Sequence, residues 1–325
     1  KAQTSIISGF VSDSSSGEAL IGANVFLRET GQGMATDING YYIVQDIVPG
    51  NYTIMVSYIG FDMYKQKIRL SDDESKKVNI NLVEQVVQLT EIEVTAEKLQ
   101  RRNNIQLSKI NLSPRMMKAA PALAEPDLFR TIQALPGVLT TSEFSTGLVI
   151  RGGNTDQNLI MLDGITVYNP SHLGGVFSNF IVDGVKEAEL IKGAYNAEYG
   201  GRLSAVLNVI SREGNKNKFK GKVNLSLLSA QTTLEGPFYK GAWVLSGRRT
   251  YFDLVLPKVL PDNINVNIPP YYFYDIQSHV FSDITSKDRI SLSYYSGIDD
   301  LFFDTFGLDG RWGNNTVSGH YRRVF

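Results

Sequence analysis

RISLSYYSG at 289–297 sets Ile290, Leu292 and Tyr294 on one side of an extended chain and Ser291, Ser293 and Tyr295 on the other. That period of two belongs to a β-strand whose two faces meet different surroundings. KVNLSL at 222–227 repeats it, with Val223, Leu225 and Leu227 opposite Lys222, Asn224 and Ser226. QTTLEGPF (231–238), GAWVLSGRRTYFDL (241–254), DIQSHVFSDI (275–284) and NTVSGHYRRVF (315–325) continue the series between polar turns. About six such strands fit between residue 215 and Phe325, and the last is still in progress where the sequence stops. An open sheet with a bare edge invites pairing with other chains, so the expectation is the start of a longer antiparallel barrel. No run approaches the roughly 20 continuous apolar residues of a membrane helix, whereas a membrane-crossing strand needs only about 9–11 alternating ones.

Upstream the pattern changes twice. From 138 to 211 short strands alternate with glycine-rich joints (LVIRGG, NLIMLDGITV, AELIKG, SAVLNVIS), which reads as a compact α+β domain. A short helix introduces it: Pro126 is placed in the first turn, Leu128, Ile132 and Leu135 repeat on one face, and Pro136-Gly137 closes it. Between residues 6 and 83, β-prone runs (FVS, ANVFLRE, YYIV, NYTIMVSYIG, KKVNINLV) are separated by turns at Ser16-Gly17, Asn39-Gly40, Pro49-Gly50 and Asp72-Asp73. About seven short strands at that spacing make a small sandwich. The boundaries follow: a sandwich over 1–85, a linker over 86–120, an α+β domain over 121–214 and barrel strands over 215–325. The opening KAQTS is read as a mature terminus left after removal of a leader.

Composition narrows the function classes. Thirty-two basic residues stand against 33 acidic ones, for a net charge of −1, so nothing points to nucleic acid. Cysteine is absent, which excludes a disulfide framework and thiolate-bound metal. The three histidines, His172, His279 and His320, fall in no metal-binding spacing and are read as surface or pore-lining polar groups. Asp37-x-Asn39-Gly40 is read as a turn, because the rest of a calcium loop is missing. No phosphate loop, nucleophile elbow or dinucleotide fingerprint occurs. The reading is therefore no enzyme, no cofactor and no metal.

One segment stands apart. LTEIEVTAEK at 89–98 has the alternation of a strand but no sheet beside it in the sequence, and an extended segment with unpaired main-chain groups is a handle for strand addition. Taken in order, LTEIEVTAEK, IRGG (150–153), LDGITV (162–167), AELIKGAYNAEYGGRLSAVLNVISREG (188–214) and GRRTY (247–251) resemble a TonB-dependent outer-membrane receptor. The first domain, from Gly9 to Val44, resembles the carboxypeptidase-regulatory-like module, a transthyretin-like sandwich, as in the Bacteroidetes-type members.

The resemblance implies a mainly β chain: a sandwich, a small α+β plug, and the first strands of a transmembrane barrel of about 22 strands. It makes Glu91, Ile92, Glu93, Val94, Thr95 and Ala96 the box that TonB captures, Glu93 being the departure from the usual pattern. It makes Arg151, Gly152, Gly153, Asp163, Gly164, Lys192, Gly193, Glu198, Tyr199, Gly200, Gly201 and Arg202 plug motifs, with Arg151 and Arg202 expected in ion pairs to the barrel wall. The implied role is active uptake, with the N-terminal domain in the periplasm. The alternative is a structural subunit of a larger outer-membrane complex. Partners would be TonB, outer-membrane lipid and a surface lipoprotein. The ligand stays open among siderophore, cobalamin, metal, glycan and peptide, since IEVTAEK replaces the VVVGYG-like string of glycan importers. The Arg248-Arg249-Thr250-Tyr251 cluster is expected at a strand end beside an aromatic girdle.

Overall fold

The computed structural model describes residues 4–85, 109–120, 125–142, 145–251, 253–255, 271–285, 287–303 and 308–324. The chain divides into two compact units, Lys1–Leu107 and Ser108–Phe325. The fold is mainly β.

Among the described residues of the first unit, eight short strands form two sheets. One holds β1 (Ser5–Asp13) between β4 (Tyr41–Ile47) and the pair β7 (Ser75–Lys77) and β8 (Ile80–Leu82). The other runs β3 (Gly33–Ala35), β2 (Asn24–Leu27), β5 (Gly50–Ser57), β6 (Tyr64–Leu70). Alternate residues of each strand turn inward, so Ile7, Val11, Val25, Leu27, Ile54, Val56, Ile80 and Leu82 make the core. The KKVNINLV run breaks into two strands at Val78, whose amide donates to the Ser8 carbonyl and whose carbonyl accepts from Tyr42 Oη. β6 lies outside the runs named from sequence, because Lys65, Gln66, Lys67 and Arg69 keep its solvent side charged and polar on an edge strand.

The second unit contains an inner domain and a larger sheet. The inner domain's main sheet has five strands, ordered β13 (Ile165–Thr166), β12 (Leu159–Leu162), β17 (Val206–Ser211), β16 (Val185–Ile191), β9 (Lys109–Leu112), and β10 (Val138–Thr140) pairs separately with β11 (Leu148–Ile150). The β12–β17 pair is parallel, so the residues between them cross over, carrying the small hairpin β14 (Ser171–His172) and β15 (Phe177–Ser178). Leu112, Ile160, Leu162, Ala188, Leu190, Leu207 and Val209 bury one sheet face against α1 (Pro114–Ala119) and α2 (Leu128–Gln133). Two details differ from expectation. Helix α2 starts one residue after its cap, Asp127, whose carboxylate accepts from the Phe129 and Arg130 amides, so Pro126 lies outside it. Strand β9 and helix α1 fall within the stretch read as linker: Ser113 caps α1 and Pro114 opens it, a start signal the polar surroundings concealed.

The larger sheet is a meander of six antiparallel strands, β18 (Lys220–Leu225), β19 (Ser229–Phe238), β20 (Gly241–Thr250), β21 (Tyr271–Asp283), β22 (Asp288–Phe303) and β23 (Leu308–Arg323). Its two faces are inverted relative to a water-soluble sheet. Ser246, Arg248, Asp275, Gln277 and Asp299 are buried beneath the inner domain, while Leu292 and Val317 stand 49% and 62% exposed on the other face. Ile290, Tyr294, Ile276 and Leu245 extend that apolar outer band. Polar inside and apolar outside is the pattern of a lipid-facing barrel wall.

Candidate functional site

The interface between inner domain and wall is built from charge. Just ahead of α2, Glu125 and Asp127 divide two tasks. Asp127 caps the helix and accepts from the Ser178 amide, tying α2 to the β14–β15 hairpin. Glu125 reaches the wall, where it accepts from Arg248 Nη1 at 2.7 Å, Gln231 Nε2 at 2.7 Å and Ser229 Oγ. Inward positions on neighbouring strands of an antiparallel sheet share one face, so Ser229 and Gln231 of β19 flank Arg248 of β20. Arg248 also donates to Asp275 Oδ2 through Nε (2.8 Å) and Nη2 (2.5 Å), to the Ser178 carbonyl (2.7 Å), and lies over the Phe273 ring. Guanidinium donors in a rigid fork suit such a multiply bonded site.

Beside Arg248 sits His172, from the inner-domain hairpin, only 1% exposed. Its Nε2 is 2.8 Å from Asp275 Oδ1 and its Nδ1 is 2.8 Å from Asp299 Oδ2, while its ring stacks on Phe273 at 4.1 Å. Tyr295 Oη donates to Asp275 and Tyr271 Oη to Asp299. Burial lowers the His172 pKa, but the Asp275 and Asp299 carboxylates outweigh it and leave it raised above the ordinary value.

Further contacts repeat the theme. Asp183 accepts from Lys222 and Asn224 of β18, and pairs with Lys118 of α1. Asn169 and Asn314 exchange hydrogen bonds, and Gln277 donates to the Gly184 carbonyl and Ser211 Oγ. Arg289 joins Glu213 to Asp283 and covers Phe281. The apolar part of the seam is small, centred on Phe177, Tyr271 and Phe273. A seam of this chemistry is held by directional bonds that water can replace, so it can be parted without exposing a large apolar face.

The inner domain and the N-terminal unit each match a known family of domains. Residues 113–206 match the TonB-dependent Receptor Plug Domain family. The inner domain is a TonB-dependent receptor plug. Residues 7–94 match the CarboxypepD_reg-like domain, so the order of modules is that of a TonB-dependent receptor with this N-terminal extension. The TonB-dependent transporter Oar of Myxococcus xanthus is 25% identical over 235 residues, which cover 68% of this chain and 22% of that protein. A TonB-dependent receptor of Formosa agariphila is 28% identical over 224 residues, 64% of this chain and 21% of the relative. The chain thus spans about a fifth of the length of these relatives. Among solved structures, the ferric enterobactin receptor of Pseudomonas aeruginosa aligns over 70% of this chain and 40% of its own, with 17% identity and a TM-score of 0.49.

The plug motifs read from sequence take defined places. Asp163-Gly164 is the two-residue turn between β12 and β13, with φ of 49° and 80°, the left-handed pair of a type I′ hairpin. The Asp163 carboxylate accepts from the Ser211 amide and hydroxyl, and its carbonyl meets Ser318 of the wall. The IRGG and KG…YGGR strings come together within the plug. Ser204 Oγ donates to the Ile150 carbonyl and crowds the Cβ position of Gly153, while Lys192 donates to the Pro136 carbonyl. Arg151, at φ 50°, lies beside Gly193, and Gly152 and Gly201 also take positive φ. Glu198 accepts from Asn196, Tyr199 packs at the rim of a small apolar cluster, and Arg202 Nη1 donates to the Gly201 carbonyl. Gly200 has open space around it and an unstrained φ, so its geometry does not require glycine.

Among the described residues, ion pairs between plug and wall include those of Glu125, His172, Asp183, Arg212 and Glu213 on the plug side; Arg151 is exposed, and Arg202 Nη1 bonds its neighbour's carbonyl. Two expectations change. His172 is a buried seam residue rather than a surface or pore-lining one. The Arg248-Arg249 pair splits between the faces by strand alternation: Arg248 turns into the seam, and Arg249 turns outward over Tyr272. The segment Glu91–Ala96 lies outside the described residues.

The plug also holds an unused carboxyl. Glu187 on β16 is buried, its Oε2 has no hydrogen-bond partner among the described residues, and burial pushes its pKa up to about 7 against the pull of Lys186 and Lys109. The folded plug therefore binds a proton that the unfolded chain has already lost, from the ordinary value of 4.5 up to about 7. Its stability falls as pH rises through that window. Glu187→Gln should flatten this profile, stabilising the plug at about pH 8 and leaving it unchanged at about pH 5. Urea titration of plug release in the full-length receptor at the two pH values measures it.

Proposed function

We propose that this chain belongs to an outer-membrane transporter in which TonB grips Glu91–Ala96 by strand addition and draws the plug from its wall. The observation that carries this reading is the seam itself, where Arg248 binds Glu125 of the plug and Asp275 of the wall at once. A stopper must be firm at rest and separable under load, and hydrogen-bonded charge that can be rehydrated supplies both. The line of pull is short in sequence. The segment after Ala96 leads to β9, the edge strand of the plug sheet, joined to β16 over four residue pairs and by a Lys109–Glu189 ion pair. In this reading the N-terminal sandwich lies in the periplasm, and the ligand crosses with no bond made or broken.

Binding of purified TonB periplasmic domain to the detergent-solubilised full-length receptor tests the coupling. Deleting 91–96 should weaken binding by at least about tenfold, roughly 1.4 kcal/mol, with receptor level and heat-modifiable migration unchanged. A cysteine introduced by Val94→Cys should cross-link to a cysteine in TonB. Undiminished binding by the deletion variant removes the role given to this segment.

A further inference from the structure

We propose that His172 is a protonation-controlled positioning residue, whose imidazolium form clips the β14–β15 hairpin of the plug to wall strands β21 and β22. The proposal rests on the transport reading for its purpose but not for its test.

Both ring nitrogens lie at hydrogen-bond distance from carboxylates, Nε2 from Asp275 and Nδ1 from Asp299. A neutral imidazole has one N–H and one lone pair, and its lone pair would face an ionised oxygen; only the imidazolium donates to both. The groups around the ring make the same demand. Arg248 of β20, Asp275 and Tyr271 of β21, Asp299 and Tyr295 of β22, and Glu125 ahead of α2 converge on one buried cluster. The tyrosines serve as neutral donors, so three carboxylates face one guanidinium until His172 adds a second positive charge. The raised pKa of His172 agrees with that balance.

The clip also holds a strained turn. Leu173, Gly174 and Gly175 have φ of 49°, 62° and 107°, and left-handed backbone is unfavourable for a leucine. The Leu173 amide donates to Asp299 Oδ1 at 3.0 Å and to Tyr271 Oη at 2.9 Å, and Asp299 is also the carboxylate that meets His172 Nδ1. When the proton leaves, one hydrogen bond and one countercharge go together, and the turn loses part of what constrains it. The sign is fixed: a raised histidine pKa contributes to seating below the ordinary value, and the contribution is lost as pH climbs through the raised value.

Hydrogen exchange over residues 168–180 of the full-length receptor, corrected for intrinsic rate between about pH 5 and about pH 9, reads the clip. The native protein should lose protection by roughly tenfold in one step above about pH 6.5. His172→Gln should show no step and match the high-pH level throughout. His172→Lys, which keeps the charge, should stay nearer the low-pH level with no step. Should these variants not fold, Asp299→Asn keeps the imidazole and should move the step to lower pH. Flat protection in the native protein, an unchanged step in His172→Gln, or an unmoved step in Asp299→Asn overturns the clip. If the step is present while TonB binding ignores the deletion of 91–96, the clip stands and the coupling reading falls.

Discussion

Arg248→Ala will unseat the plug, at a cost of about 3–5 kcal/mol. The side chain is 1% exposed and makes four hydrogen bonds beyond its strand: one to Glu125, two to Asp275 and one to the Ser178 carbonyl. Its removal leaves two buried carboxylates without their shared cation, and a buried charge left unpaired costs far more than the pair contributes. The neighbouring arginine is the internal control. Arg249 faces outward, half-exposed, and pairs with Asp253 four residues on. Pairs reached by solvent in this way contribute about 0.2–1 kcal/mol, so Arg249→Ala should leave the plug in place. Urea-dependent protease access to the plug in the full-length receptor distinguishes the two. Equal midpoints for both variants would mean that the Arg248 cluster does not hold the plug.

Gly214→Val will prevent the plug and the wall from assembling together. Gly214 follows β17 and leads into the first wall strand, at φ 88°, and a Cβ built there would sit 2.3 Å from the Trp243 carbonyl oxygen. Left-handed backbone costs an L-residue about 1–2 kcal/mol, and overpacking against main chain about 1–3 more. Gly137→Val separates the two contributions, because Gly137 has φ 79° but nothing within 4 Å of a Cβ. It should show the backbone cost alone. The fraction of receptor with heat-modifiable migration measures both; a Gly214→Val variant folding as well as Gly137→Val would remove the close approach from the account.

Much of the fold was legible because it follows from parity and punctuation. The six wall strands are set by alternation at residues such as Leu292 and Ser293, and their boundaries by polar turns. The Asp163-Gly164 turn is legible because only a narrow choice of residues tolerates two left-handed positions in succession. Strand β6 escaped notice because an edge strand carries charge where a central one carries apolar residues, and β9 because four polar-flanked residues hold too little pattern.

The seam was not legible. Glu125, His172, Arg248, Asp275 and Asp299 lie 20 or more residues apart in the sequence and follow no common spacing. What signal existed was a charged residue at an inward position of a wall strand, where Arg248 and Asp275 break a run of small or neutral side chains.

The order of modules and the two faces of the wall belong to the sequence by itself, since each rests on neighbours a few residues apart. Which charges meet across the seam was decided only by the tertiary structure. Strand alternation sends Arg248 inward and Arg249 out, and a crossover between two parallel strands delivers His172 to carboxylates more than a hundred residues away. Such pairings depend on sheet order and register, and no local pattern encodes either.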